Sequence, residues 1–207
     1  MGIATLHPLG LSGAVLQMFS HGIMTALFFA VVGVVYDRTH TRDMLVLDGL
    51  AKRMGVTAVF FTIAGLTSLG LPGLSGFVAE LLVFLGLFKT YPVLGVLGVI
   101  GAAITAVYIL RLLAKVFFGP MGPLPDEVES GAHGEEAVGG QPSEGSGGEF
   151  AQAVALSEAA PKSMDATRTE VLAASVLTAF VLLVGLFPFP FLRVINGGVA
   201  EVLARFG

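Results

Sequence analysis

Residues 65–88 read GLTSLGLPGLSGFVAELLVFLGLF, an apolar run that breaks on glycine and proline and then carries a single ionisable side chain, Glu80. The apolar segment containing it, 56–88, is too long for one straight bilayer crossing and too short for two with a loop between them. A discontinuous helix resolves the conflict. Within Ser68-Leu69-Gly70-Leu71-Pro72-Gly73-Leu74-Ser75-Gly76, Pro72 removes one backbone donor and disfavours helix at Leu71, while the three glycines loosen the turn. The backbone groups freed there need partners or water. A packing kink produces such a break too; what adds a functional sense is Glu80, about one helical turn further on. Charging an acid at the bilayer centre costs about 2 kcal/mol or considerably more. A half-helix beginning after Gly73 puts Glu80 in its early turns, where the helix dipole and desolvation act on the carboxyl in opposite senses. Two readings stand: a proton-carrying group facing a polar interior, or a carboxyl near a helix end that reaches water.

Composition fixes the class around this stretch. With 55% hydrophobic and 13% charged residues and a mean hydropathy of +0.87, the chain is too apolar for an ordinary soluble domain. Cysteine is absent, which removes disulfides, thiol catalysis and thiolate metal or iron–sulfur ligation. The net charge of −4 reflects acids gathered in one polar segment, and no basic stripe supports nucleic-acid binding. The opening MGIATLHPLG lacks a positive n-region and a small-residue cleavage site, so no cleavable signal peptide is expected.

Upstream of the break, 11–36 is long enough to span a bilayer with some tilt. Its polar members Gln17, Ser20, His21 and Thr25 recur at helical spacing, which puts them on one face turned toward protein. His21 is open to two readings, a proton relay between two partners or a hydrogen bond across a helix interface. The polar stretch 37–55 carries Arg38, Arg42, Lys52 and Arg53 close to membrane ends, so the positive-inside rule assigns it to the cytoplasm. Downstream, 93–118 forms another span rich in Gly95, Gly98, Gly101, Ala102, Ala103 and Ala106, small residues that let helix backbones approach closely. Arg111 and Lys115 are an i, i+4 pair near its end; anchoring at the interface explains them, and proton loading is the sharper alternative.

From 119 to about 167 the composition turns to Gly, Ser, Pro, Glu and Ala, including EEAVGGQPSEGSGGE, and reads as an acidic disordered cytoplasmic loop. Phe150–Ala160 reads as a short surface helix, and His133 has no companion at metal-ligand spacing. The last span is about 170–187, with Asp165 or Thr167 as its N-cap and Pro188 and Pro190 as its stop. The tail FLRVINGGVAEVLARFG is modestly amphipathic and is expected at the far interface. The expected fold is therefore all-α and polytopic, with four transmembrane segments of which the second, about 56–88, is discontinuous. Three regions follow: 1–118 transmembrane helices, 119–167 the acidic loop, and 168–207 the last span with its tail.

The stretches GLSGAVLQMFSHGIMTALFFAVVGVVYDRTHTRDM, SLGLPGLSGFVAELLVFLGLF, YILRLLAKVFFGP and GLFPFPFLRV closely resemble the carboxy-terminal half of the chain M family of bacterial NADH-quinone oxidoreductase, respiratory complex I, whose mitochondrial counterpart is chain 4. The resemblance covers 1 to about 120 and 165 to about 194, and fails across the acidic loop. Related antiporter-like chains of cation/proton antiporters and membrane-bound hydrogenases share the broken helix and the SHG region. The resemblance implies a partial antiporter-like fold in the inner (plasma) membrane, with loops 37–55 and 119–167 cytoplasmic. It implies a subunit with no redox centre of its own, which translocates protons when electrons pass from NADH to quinone elsewhere in the complex. NADH, FMN, iron–sulfur clusters and quinone would then belong to other subunits, and other membrane-arm subunits would be the partners. By motif identity Glu80 matches the family's terminal acid in the second broken helix, and His21 a histidine of its central hydrophilic axis. Family chains hold about fourteen helices in inverted repeats, so the chain is expected to be a truncated or split product lacking the upstream half. Two alternatives remain: a D-type chain of a monovalent cation/proton antiporter, or a purely structural membrane-arm fragment.

Overall fold

The computed structural model describes residues 1–44, 47–119 and 164–205. The acidic segment, with the helix expected at Phe150–Ala160 and with His133, lies outside the described residues. Among the described residues the chain forms six α-helices: α1 (Pro8–Thr39), α2 (Gly55–Ser68), α3 (Ser75–Thr90), α4 (Pro92–Val116), α5 (Arg168–Leu186) and α6 (Phe189–Ala204). By length and composition α1, α4 and α5 can each cross a membrane. The half-helices α2 and α3 make the fourth crossing in series, so the interruption expected at Ser68–Gly76 is present, between Ser68 and Ser75. The chain is a multi-pass membrane protein.

The axis of the bundle is α1, whose 32 residues extend about 48 Å. It begins on His7, whose Nδ1 accepts from the Leu9 N–H at 3.2 Å, with Pro8 in the first turn, where its missing donor does no harm. It runs past Tyr36, where the sequence turns polar, to a left-handed His40. α2, α3, α5 and α6 run antiparallel to it, and α4 returns alongside it in the same sense. In its later half Leu27, Val31 and Val35 share a core with Phe61 and Ala64 of α2 and Leu113 and Val116 of α4. Phe61 joins the three helices, its ring centroid 4.7 Å from those of both Phe28 and Phe117. In its earlier half α1 meets α3 almost backbone to backbone: a Cβ added to Gly86 would collide with Gly10, and one on Gly13 with Ala79 and Leu82. Here small residues allow the approach, as membrane packing requires.

Small residues matter less on α4. Gly95 and Gly98 accept the rings of Phe88 and Phe84, whereas Gly101 faces open space, and much of this helix is exposed. One residue, Tyr91, links it to α3.

α5 and α6 repeat the pattern of α2 and α3. Arg38 near the end of α1 meets Glu170 in the first turn of α5 at 3.0 Å, Phe191 of α6 stacks on Phe19 with centroids 5.7 Å apart, and Ser12 donates to Asn196 Oδ1 at 2.6 Å. The tail expected at the far interface thus keeps its first half in the bundle, against Leu16. Pro188 turns the chain without releasing it from α1.

Candidate functional site

The site is assembled where the interruptions face each other. Gly70 and Gly73 adopt φ of 63° and 95°, the left-handed region that an L-residue with a Cβ enters only with strain. These two positive angles carry the chain from the end of α2 to the start of α3. α5 closes over the turn, for a Cβ on Gly185 would meet the Gly73 carbonyl oxygen and the Leu74 backbone. On the α1 side the hydroxyl of Ser20 donates to that of Ser75 at 2.7 Å, with both side chains buried. The break is therefore held by close backbone packing on one side and a buried hydroxyl pair on the other.

Glu80 is the sixth residue of α3. Its carboxylate folds back over Gly70, since a Cβ there would strike the carboxylate oxygens. It is half-buried, and among the described residues no donor is in hydrogen-bond reach of it. A carboxyl held in an unwound stretch of a membrane helix without a fixed partner can exchange a proton with water or with groups that arrive there.

His21 lies on α1 one residue beyond the Ser20 hydroxyl. The polar stripe expected to share one face divides in the structure: Ser20 turns inward to Ser75, while His21 is exposed and its Nδ1 stands 3.3 Å from Thr25 Oγ1. Gln17 and His21 line an open cavity of about 350 Å³ with Met1, Ala14 and Val83, and Gln17 Oε1 is buried without a hydrogen-bond partner. Val83 is one turn of α3 beyond Glu80. No direct contact joins His21 to Glu80. Arg111 and Lys115 stand on α4, whose Ile109 and Leu113 reach Gly65 in α2, and neither pairs with Glu80. Arg111 is exposed and Lys115 half-buried.

The support of the site includes residues that sequence reasoning did not assign to it. Asp165 does not cap α5. Its carboxylate accepts from the backbone N–H of Val56 (2.7 Å) and Thr57 (3.0 Å) and from the Thr57 hydroxyl (2.8 Å), so it caps α2 from a distant part of the chain. Burial pushes its carboxyl up, but the donors of Val56, Thr57 and Ala166 outweigh burial and hold it below the usual carboxylate range. Thr167 is the residue that begins α5, and its N–H is bonded by Glu170 at 2.6 Å. Met164 and Ala166 pack on the core, so the final residues of the stretch read as loop are part of the fold.

Comparison with known proteins bears directly on this arrangement. Residues 1–105 match the family described as NADH:quinone oxidoreductase/Mrp antiporter, TM, a stretch that contains α1, the break, Glu80 and His21. The chain belongs to the NADH:quinone oxidoreductase/Mrp antiporter transmembrane family. Among curated members of this family, NAD(P)H-quinone oxidoreductase chain 4 1 of Synechococcus elongatus is 45% identical over 127 residues, covering 58% of this chain and 24% of that protein. NADH-quinone oxidoreductase subunit M of Rickettsia prowazekii is 41% identical over 119 residues, with 58% and 24% covered. The chain spans about a quarter of the length of the curated relatives it matches. Among solved structures, a chain of respiratory complex I from Thermus thermophilus with bound NADH superposes with a TM-score of 0.70 at 26% identity, covering 99% of this chain and 35% of that one. A chain of the Mrp complex from Dietzia sp. gives a TM-score of 0.73 at 24% identity, covering 98% and 39%, and shows the shared fold.

Proposed function

We propose that the chain is a membrane-arm element of a proton-translocating NADH:quinone oxidoreductase, in which Glu80 takes up and releases a proton beside the broken helix. The observation that carries this reading is the placement of the Glu80 carboxylate over Gly70, in the unwound turn between α2 and α3. A group bound firmly to a donor or an ion pair would resist protonation changes; one without a fixed partner in a low-dielectric site responds strongly to charge nearby. His21 serves as a relay through water, with Gln17 as a neighbour in the same cavity. Arg111 and Lys115 would load protons from the end of the bundle at which they lie.

In this reading the driving charge changes arise on other subunits, where NADH, FMN, iron–sulfur clusters and quinone act, and the partners are other membrane-arm subunits of the inner (plasma) membrane. Loops 37–55 and 119–167 face the cytoplasm, as their neighbouring Arg38, Arg42, Lys52 and Arg53 favour. Residues that complete the proton path come from helices not contained in residues 1–207, in keeping with the chain's quarter share of its relatives' length.

The likeness in fold to an Mrp complex chain supports a second reading, monovalent cation/proton exchange. Inverted membrane vesicles holding the assembled complex separate the two. Acidification driven by NADH and indifferent to sodium supports the first; acidification that needs a sodium gradient and no NADH supports exchange. NADH oxidation with neither would leave a purely structural element.

A further inference from the structure

We propose that the cavity bounded by α1, α2 and α4 is a binding site for one anionic phospholipid, its acyl chain inside the cavity and its phosphate on Arg42. The cavity measures about 210 Å³ and its walls are apolar, with Phe28 and Val32 from α1, Phe61 from α2, and Leu112 and Val116 from α4. Arg42 is the charged residue among those lining it, and it is exposed. An apolar slot with a cation at its outer end matches the two ends of a lipid better than it matches a water-soluble ligand.

The state of Arg42 strengthens the assignment. Its guanidinium carbon stands 4.5 Å from the centre of the Tyr36 ring, and no carboxylate among the described residues pairs with it. Stacking on an aromatic face holds a guanidinium in place while leaving its N–H donors for a bidentate oxyanion. Arg38, by contrast, is committed to Glu170.

The test uses the chain in its native complex, reconstituted with phosphatidylglycerol bearing a photoreactive group at the acyl terminus, against phosphatidylcholine with the same acyl chains. Phosphatidylglycerol should label the peptides containing Phe28–Val32 and Leu112–Val116 about fivefold more than phosphatidylcholine does. Arg42→Gln should remove that preference and Arg42→Lys should keep most of it. Val32→Phe, which fills the slot without changing charge, should abolish labelling of these peptides by both lipids while labelling elsewhere is unchanged. Millimolar inorganic phosphate should not compete, because the acyl chain is half of the recognition. Equal labelling by the two lipids, a preference that survives Arg42→Gln, displacement by inorganic phosphate, or no labelling because a neighbouring protein helix covers the slot would each overturn the proposal.

Discussion

Replacing Asp165 by alanine should loosen the half-helix α2 although the two are more than a hundred residues apart in the chain. Four donors converge on its carboxylate: the N–H groups of Val56, Thr57 and Ala166 and the hydroxyl of Thr57, at 2.7 to 3.0 Å. Val56 and Thr57 stand in the first turn of α2, where backbone donors have no partner within the helix. Losing an N-cap costs about 1 kcal/mol, and stranding the buried Thr57 hydroxyl adds about 1 kcal/mol or more. The carboxylate itself is partly open to solvent, which limits the charge-assisted share, so the total expected loss is about 2 kcal/mol. Asp165→Asn keeps one acceptor oxygen and should lose about half of that. The sign of the pH dependence follows from the lowered carboxyl. A depressed acid stabilises the fold above its unfolded pKa, about 3.9, and the contribution disappears as pH falls through the lower folded value. The gap between wild type and Asp165→Ala should therefore be constant from about pH 8 to 5 and shrink below about pH 4, whereas Asp165→Asn should lack this acid-linked change. With no tryptophan in the chain, far-UV circular dichroism during dodecyl sulfate titration in mixed micelles is the suitable readout. Identical midpoints for wild type and Asp165→Ala at neutral pH would refute the capping role.

Three further outcomes follow from the packing. Gly70→Ala and Gly73→Ala should both strain the turn by about 1–2 kcal/mol, but only the former displaces the Glu80 carboxylate; proton transport that falls further in Gly70→Ala than in Gly73→Ala is the expected signature, and equal losses would reduce the turn to a structural element. Gly86→Ala, which meets the Gly10 backbone, should destabilise the α1–α3 seam by about 1–3 kcal/mol, while Gly101→Ala in open space should be neutral or slightly stabilising, as thermal unfolding in detergent can check. Arg38→Gln should cost under about 1 kcal/mol because its pair with Glu170 is about a quarter exposed on each side; a loss several times larger would mean that this pair clamps α1 to α5 far more tightly than its exposure allows.

Much of the fold could be read from local signals. Pro72 and the glycines around it announce an interruption through backbone chemistry that needs no tertiary partner, and Glu80 stands out because the apolar run around it contains no other charge. Helix lengths followed from the extent of apolar runs, apart from α1, whose polar end continues the helix to Thr39. What sequence could not supply was pairing between distant residues. Asp165 has the right chemistry for an N-cap, but only the fold decides that it caps α2 rather than the helix next to it. The stripe of Gln17, Ser20, His21 and Thr25 obeys helical spacing, yet a neighbour placed against one edge draws Ser20 inward and leaves His21 outside. Pro188 and Pro190 mark a stop correctly, while the return of α6 along α1 depends on Ser12 and Asn196 meeting across the bundle. Glu80 was legible as a candidate; its position over Gly70 depended on two positive φ angles that composition suggests but does not aim.

Proton transport by the assembled complex carrying Glu80→Gln, measured in inverted vesicles against NADH oxidation in the same sample, tests the role of this acid most directly. Glutamine is close in shape and cannot release a proton, so assembly should persist while protons moved per NADH oxidised fall sharply. Wild-type pumping per NADH in the glutamine variant would contradict the assignment of Glu80 as the proton-carrying group.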